Sequence, residues 1–389
     1  PGSPTATAAR DSSGSAIAHV PALDGLRGLA IALVLATHFG VGANFPAHRP
    51  GLVSTWIERV CYIGWAGVDL FFVLSGFLIT SILLASRHDP AYFSRFYGRR
   101  ALRIFPLYFT ALLVGLVALP SFWPQVAPTL LAEARSGQIW LWTYTLNIAN
   151  AFGWVVNAGV LAQMWSLAIE EQFYAAWPWI VRRLNDRRLA WLCAVLVVGA
   201  LSLRLAWMQV PTLGGWPGPY RFTLTRIDSL AAGAALAIAW RHPGRLDRLR
   251  PLARATLVAG GVVWALWFLI APRFYLDQPG VVTFGHSLLA AFFTALLVEG
   301  LQPSPPRWMT WTALRTLGTY SYGVYVWHWF VQYSMVTYAS ALDPAMFVGV
   351  GVASSIALAV VSYHLLEKPF LNLKRLFDYR AAVPRRATA

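Results

Sequence analysis

A chain of 389 residues that is 57% apolar and only 12% charged, with 19 Trp and a positive mean hydropathy, carries more hydrophobic surface than a soluble core needs; it reads as a polytopic membrane protein. The net charge of +15 would suit nucleic acid, yet the arginines lie in short segments between apolar runs, which excludes a basic nucleic-acid face and fits topology and anionic headgroups. Cys61 and Cys193 are too few for a disulfide framework and read as packing residues.

Residues 1–20 are rich in Ser, Ala, Thr and Gly without an apolar run of signal-peptide length, so they read as a flexible cytoplasmic tail. Apolar runs of spanning length follow at 23–42, 66–85, 103–120, 164–182, 189–208, 226–241, 254–271, 283–301, 317–338 and 345–366. A shorter run at 139–152 is interrupted by Asn147 and Asn150. If it does not cross, segments 86–103, 182–188, 241–254, 302–315 and 366–389 fall on one side and hold more than two thirds of the 31 Lys and Arg. The positive-inside rule then puts both termini in the cytoplasm. The expected fold is an all-α integral membrane protein of a bacterial-type cell membrane, with about ten transmembrane helices around a central polar cavity. A re-entrant or interfacial helix near 139–152 completes the membrane domain at 21–370, and 371–389 forms a basic cytoplasmic tail.

Polar side chains inside the spans mark where chemistry or transport belongs. In the first, Asp24, Arg27 and His38 share one stripe: at about 100° per residue, Arg27 and His38 differ by about 20° and Asp24 and His38 by about 40°. Arg27 and His38 are separated by about 16 Å of rise, from one surface to near the bilayer centre. Asp24 and Arg27 are close enough to pair. An alcohol needs a positioned base to act as a nucleophile near neutral pH, and the imidazole of His38 is the candidate. The sequence leaves open whether His38 is a base or is itself acylated; the base role is taken here.

In the second span Asp69, Gly76 and Thr80 share a face where another backbone can approach, and Asp69 is a candidate to fix the tautomer of His38 or to meet substrate. The segment Arg95-Phe-Tyr-Gly-Arg99-Arg100-Ala-Leu-Arg103 puts Arg100 and Arg103 at i and i+3, a pair suited to gripping phosphate, while Arg95 and Arg99 read as anchors. Glu170 and Glu171 lie a turn or two inside the outer end of span 164–182, about 100° apart, so one of them is expected to face a shared cavity. Glu170, four residues after Ser166, is the choice; Glu171 is assigned to another helix or to substrate, and either remains a possible partner of Arg226. Ser321, Tyr325 and His328 form a second stripe that can line an acceptor pocket. Glu367-Lys368-Pro369 reads as a helix terminator and anchor. No metal-ligand spacing, Walker loop or Gly-x-Ser-x-Gly elbow is present.

Seven strings in order, PALDGLRGLAIALVLATH at 21–38, GVDLFFVLSGFLIT at 67–80, RFYGRRALRIFPLY at 95–108, WSLAIEEQFY at 165–174, RIDSLAAGAALA at 226–237, TYSYGVYVWHW at 319–329 and SYHLLEKPF at 362–370, resemble the membrane-bound acyltransferase-3 family. The resemblance implies transfer of an acyl group, usually acetyl, from acyl-CoA to a hydroxyl of a macrolide-type metabolite, sugar, glycolipid or envelope polymer. It implies functional roles for Arg27 and for Arg100 and Arg103, which match the family's Arg-x-x-Arg motif facing the donor. The hydrolase-like extracytoplasmic domain of some members is not expected here. The alternative is a carrier or flippase for a lipid-linked sugar, since intramembrane charges suit transport as well.

Overall fold

The computed structural model describes residues 19–40, 52–122, 132, 134–155, 158–210, 217–270 and 276–377, and every regular element among them is helical. Most of the two predicted tails, 1–18 and 378–389, lies outside the described residues. Ten principal helices correspond to the ten apolar runs: α1 (Pro21–Phe39), α2 (Gly67–Ala85), α3 (Tyr92–Leu113), α4 (Met164–Arg183), α5 (Asp186–Trp207), α6 (Thr223–Trp240), α7 (Arg245–Ile270), α8 (His286–Gly300), α9 (Thr312–Tyr338) and α10 (Pro344–Ser362). The chain is an all-α integral membrane protein. Among the described residues, seven stretches, containing α1, α2, α3, α5, α7, α8 and α10, are long and apolar enough to cross a membrane. The other three, α4, α6 and α9, carry several of the intramembrane polar residues and pack against neighbouring helices that replace lipid.

Local signals place the helix ends. Pro21 and Pro344 open α1 and α10 at positions where a missing N–H costs nothing, and the Asp343 carboxylate accepts from Ala345 N at 2.9 Å. The Asn185 side chain caps α5 by accepting from Arg188 N at 2.9 Å. The run at 139–152 does not span: it is two short helices, Gln138–Trp142 and Leu146–Ala151, broken at Tyr144, whose φ is 54°. Its interrupting asparagines have structural jobs, Asn147 Nδ2 donating to Thr223 Oγ1 at 2.8 Å and Asn150 Nδ2 to Val155 O at 2.6 Å.

Two helix pairs form the centre, α1 with α9 and α2 with α6. Both are close because glycine is present where backbones meet. A Cβ on Gly28 would strike Leu314 O and one on Gly318 would strike Asp24 O; across the second pair, Gly76 faces Leu230 O and Gly233 faces Val73 O. The first pair runs parallel, Asp24 beside Gly318 at one end and His38 beside His328 and Gln332 at the other. At the rim, α7 is mostly exposed, presenting Val258, Val262, Leu266 and Leu269 outward as a lipid-facing surface.

Glu367-Lys368-Pro369 does not end the last helix: a wide turn at Tyr363–Glu367 leads into Lys368–Asn372, with Pro369 tolerated in the first turn. Residues Leu373–Phe377 add a further helical turn against α3, the Phe377 ring lying over Gly98.

Candidate functional site

One cavity of about 900 Å³, its open mouth included, lies between α1, α2, α3, α4 and α9. Three cations line it, Arg27 from α1 and Arg100 and Arg103 from α3. The i, i+3 spacing turns Arg100 and Arg103 to one side of α3, as expected from sequence. Arg27 donates to Asp24 Oδ1 at 3.1 Å, and the other Asp24 oxygen meets His19 Nε2 at 2.6 Å, so the Asp24 carboxylate braces Arg27 without itself lining the cavity. The Arg100 guanidinium lies over the Tyr174 ring at 5.4 Å and the Phe96 ring at 5.9 Å, which fixes its plane. Arg95 is spent on an ion pair with Asp89, consistent with an anchoring role.

The helix period of α4 sends Ser166, Glu170 and Tyr174 into the cavity at i, i+4 and i+8. Glu171 lines it as well, which corrects the expectation that only one of the two glutamates faces inward: the cavity is wide enough to meet both. Tyr174 OH donates to Glu170 Oε2 at 3.2 Å and shares a hydrogen bond with Ser75 on α2. From α9 come Ser321, Tyr322 and Tyr325. Tyr322 OH donates to Ile104 O at 2.8 Å, and Tyr325 OH bonds Ser166 Oγ and donates to Gln163 O at 3.3 Å, tying α9 to α3 and α4 across the cavity.

His38 stands beyond this lining, half-buried in the last turn of α1 and so at the end of that helix away from Arg27. Its Nδ1 lies 2.8 Å from Val34 O. A carbonyl only accepts, so this contact puts the neutral ring's proton on Nδ1 and its basic lone pair on Nε2. The ring touches His328, with centroids 4.7 Å apart and planes at 72°, and Trp329, at 5.2 Å and 66°. Gln332 Nε2 donates to His38 O at 2.7 Å, holding the end of α1 on α9. His328, placed by sequence on the acceptor stripe, is fully buried and meets His38 instead of lining the cavity; its ring is 5.6 Å from that of Tyr325, which does line it. Tyr325 and His328 therefore stand in sequence between the cavity and His38.

Asp69 and Arg226 are brought together but away from this site. Arg226 donates to Asp69 Oδ1 at 2.9 Å, His286 Nδ1 is 3.4 Å from Asp69 Oδ2 and bonded to Arg226, and Ser229 Oγ donates to Asp69 at 3.2 Å. All three charged or ionisable groups are fully buried. Asp69 thus neither orients His38 nor lines the cavity, and Arg226 partners neither glutamate, because each already satisfies the other's charge. A neighbouring pair, Arg204 and Asp228 at 2.8 Å, joins α5 to α6, and Ser287 on α8 donates to the same carboxylate at 2.8 Å. Sequence reasoning also passed over Ser75, Tyr174 and Tyr322; the i+4 spacing of Tyr174 from Glu170 was the available signal.

A profile described as an acyltransferase domain matches residues 20–364. Among curated proteins, the chain is 28% identical over 367 residues to a peptidoglycan O-acetyltransferase OatA of Listeria monocytogenes, covering 90% of this chain and 56% of that one. It is 31% identical over 370 residues to a putative peptidoglycan O-acetyltransferase YrhL of Bacillus subtilis, covering 90% and 55%. An O-acetyltransferase OatA of Staphylococcus aureus is 25% identical over 383 residues, covering 95% and 59%. The chain spans a little more than half the length of these relatives. No solved structure matches it.

Proposed function

The chain belongs to the family of membrane acyltransferases whose domain its residues 20–364 match, and from that premise we propose that it moves an acetyl group from acyl-CoA to a hydroxyl of an envelope glycan. The single observation that supports this best is the cavity joining Arg27, Arg100 and Arg103 to an interior lined by Glu170, Glu171 and Tyr325. Phosphates suit guanidinium groups, and CoA carries them at one end of a long flexible thiol arm. In this reading Arg100 and Arg103 hold the phosphates at the cytoplasmic surface and the arm extends along the cavity toward Tyr325. The relatives compared above are named for peptidoglycan or for O-acetyl transfer, which favours a glycan over the macrolide-type acceptor also expected from sequence.

His38 is assigned the general base. Its Nε2 lone pair takes the hydroxyl proton as the acceptor oxygen bonds the acyl carbon; the carbon–sulfur bond breaks, and the proton passes to the departing thiolate, giving the ester and free CoA. Because His38 stands outside the observed lining, the reaction requires the thioester or the acceptor to reach past Tyr325. Glu170 and Glu171 polarise the cavity wall and orient Tyr174 and the donor. Purified protein given radiolabelled acetyl-CoA and peptidoglycan fragments is expected to release CoA and label the glycan. Release of no CoA with glycan, glycolipid or macrolide acceptors would instead leave the carrier reading.

A further inference from the structure

We infer that His328 is a positioning residue for the transfer, sharing through its Nε2 the proton that His38 collects; this rests on the acyltransferase reading above. The two imidazoles are in edge-to-face contact, centroids 4.7 Å apart, where the last turn of α1 meets the interior of the parallel helix α9. Each has its Nδ1 committed to a backbone carbonyl of its own helix, His38 to Val34 O at 2.8 Å and His328 to Tyr325 O at 2.7 Å. Both neutral rings therefore carry their lone pair on Nε2. The Nε2 of His328 is fully buried and has no hydrogen-bond partner among the described residues. A buried acceptor left unsatisfied is unfavourable and calls for an explanation, which a partner that appears only during turnover provides.

That partner is the imidazolium of His38. When the acceptor hydroxyl gives up its proton, His38 gains an N–H at Nε2 while Nδ1 stays on Val34 O. The touching ring of His328 carries an unpartnered basic nitrogen, and accepting that hydrogen bond stabilises the charge among the aromatic rings of Trp329 and Tyr325. No atom is added or lost: the proton is held between the two rings until the thiolate of CoA takes it. Gln332, which anchors His38 through its backbone oxygen, keeps the end of α1 in register with α9.

Two variants separate this role from simple packing. His328→Gln keeps a polar acceptor near the position of Nε2, while His328→Asn keeps only a donor near Nδ1, toward Tyr325 O. Relative to wild type, the Asn variant is expected to lose kcat on the order of 100-fold and the Gln variant about tenfold less severely, with the KM for acetyl-CoA within about twofold in both. In a His38→Ala background neither substitution should cost anything more, since His328 acts through His38. Equal turnover of the two variants, a faster Asn variant, or losses that follow the melting temperature would overturn the assignment. If wild type is active and His38→Ala is dead, such a result removes His328 alone; a wild type that releases no CoA removes the acyltransferase reading with it.

Discussion

Arg100 and Arg103 differ from the other arginines of their segment in what they face: Arg95 is neutralised by Asp89, whereas these two line the cavity. If they grip phosphate bidentately, lysine is a poor substitute, because a point charge does not reproduce the guanidinium fork. Arg100→Lys and Arg103→Lys are each expected to raise the KM for acetyl-CoA about tenfold with kcat within about twofold, measured as CoA release over a donor titration. Sequence spacing was enough to turn Arg27, Arg100, Arg103, Glu170 and Tyr325 inward, where they line one cavity, since a charge or phenol on a helix stripe facing inward has few places to go. It was not enough for Asp69 and Arg226. A buried charge announces that it needs a partner, but the partner lies 157 residues away and is chosen by packing. The contact of His38 with His328 is hidden in the sequence for the same reason: the two lie on separate helices, and only the parallel register of α1 and α9 brings them together.

At the scale of elements, the apolar runs revealed all ten principal helices because spanning a bilayer demands long stretches with every backbone bond made internally. What the runs did not reveal is the break at Tyr144 or the wide turn at 363–367, which depend on neighbouring side chains and helices more than on hydropathy. The ion pair between α2 and α6 is a structural device in this account, so Arg226→Ala should destabilise the protein by roughly 3 kcal/mol or more, leaving Asp69 buried and unpaired. A melting temperature in detergent well below wild type, with an unchanged KM for acetyl-CoA in the protein that remains folded, checks this. Gly318→Leu is expected to be worse tolerated than Gly349→Leu on α10. A Cβ at Gly318 meets the backbone of α1, whereas one at Gly349 meets nothing within 4 Å. Expression and monodispersity of the two variants decide it.

Across the whole molecule, polarity is arranged by depth: arginines gather at one end of the cavity, carboxylates and tyrosines line its interior, and the two imidazoles stand beyond Tyr325. Exposed Trp179, Trp191 and Trp311 lie near helix ends on the arginine side, with Trp56 and Trp154 toward the other, as amphipathic rings at two interfaces should. Charge at a partly open mouth is screened by salt, so the KM for acetyl-CoA should rise with ionic strength, and dephospho-acetyl-CoA, carrying fewer phosphates, should show a shallower rise. Titrating both donors at low and high salt tests that. The central claim is that imidazole chemistry at His38 is supplied by a thioester held at the far end of the same bundle. The most direct measurement is acetyl transfer to peptidoglycan fragments by purified wild type and His38→Ala, with radiolabelled CoA binding recorded on the same samples. The account predicts that His38→Ala binds CoA as wild type does and loses at least about 100-fold in transfer. Transfer by His38→Ala within a few fold of wild type would contradict it.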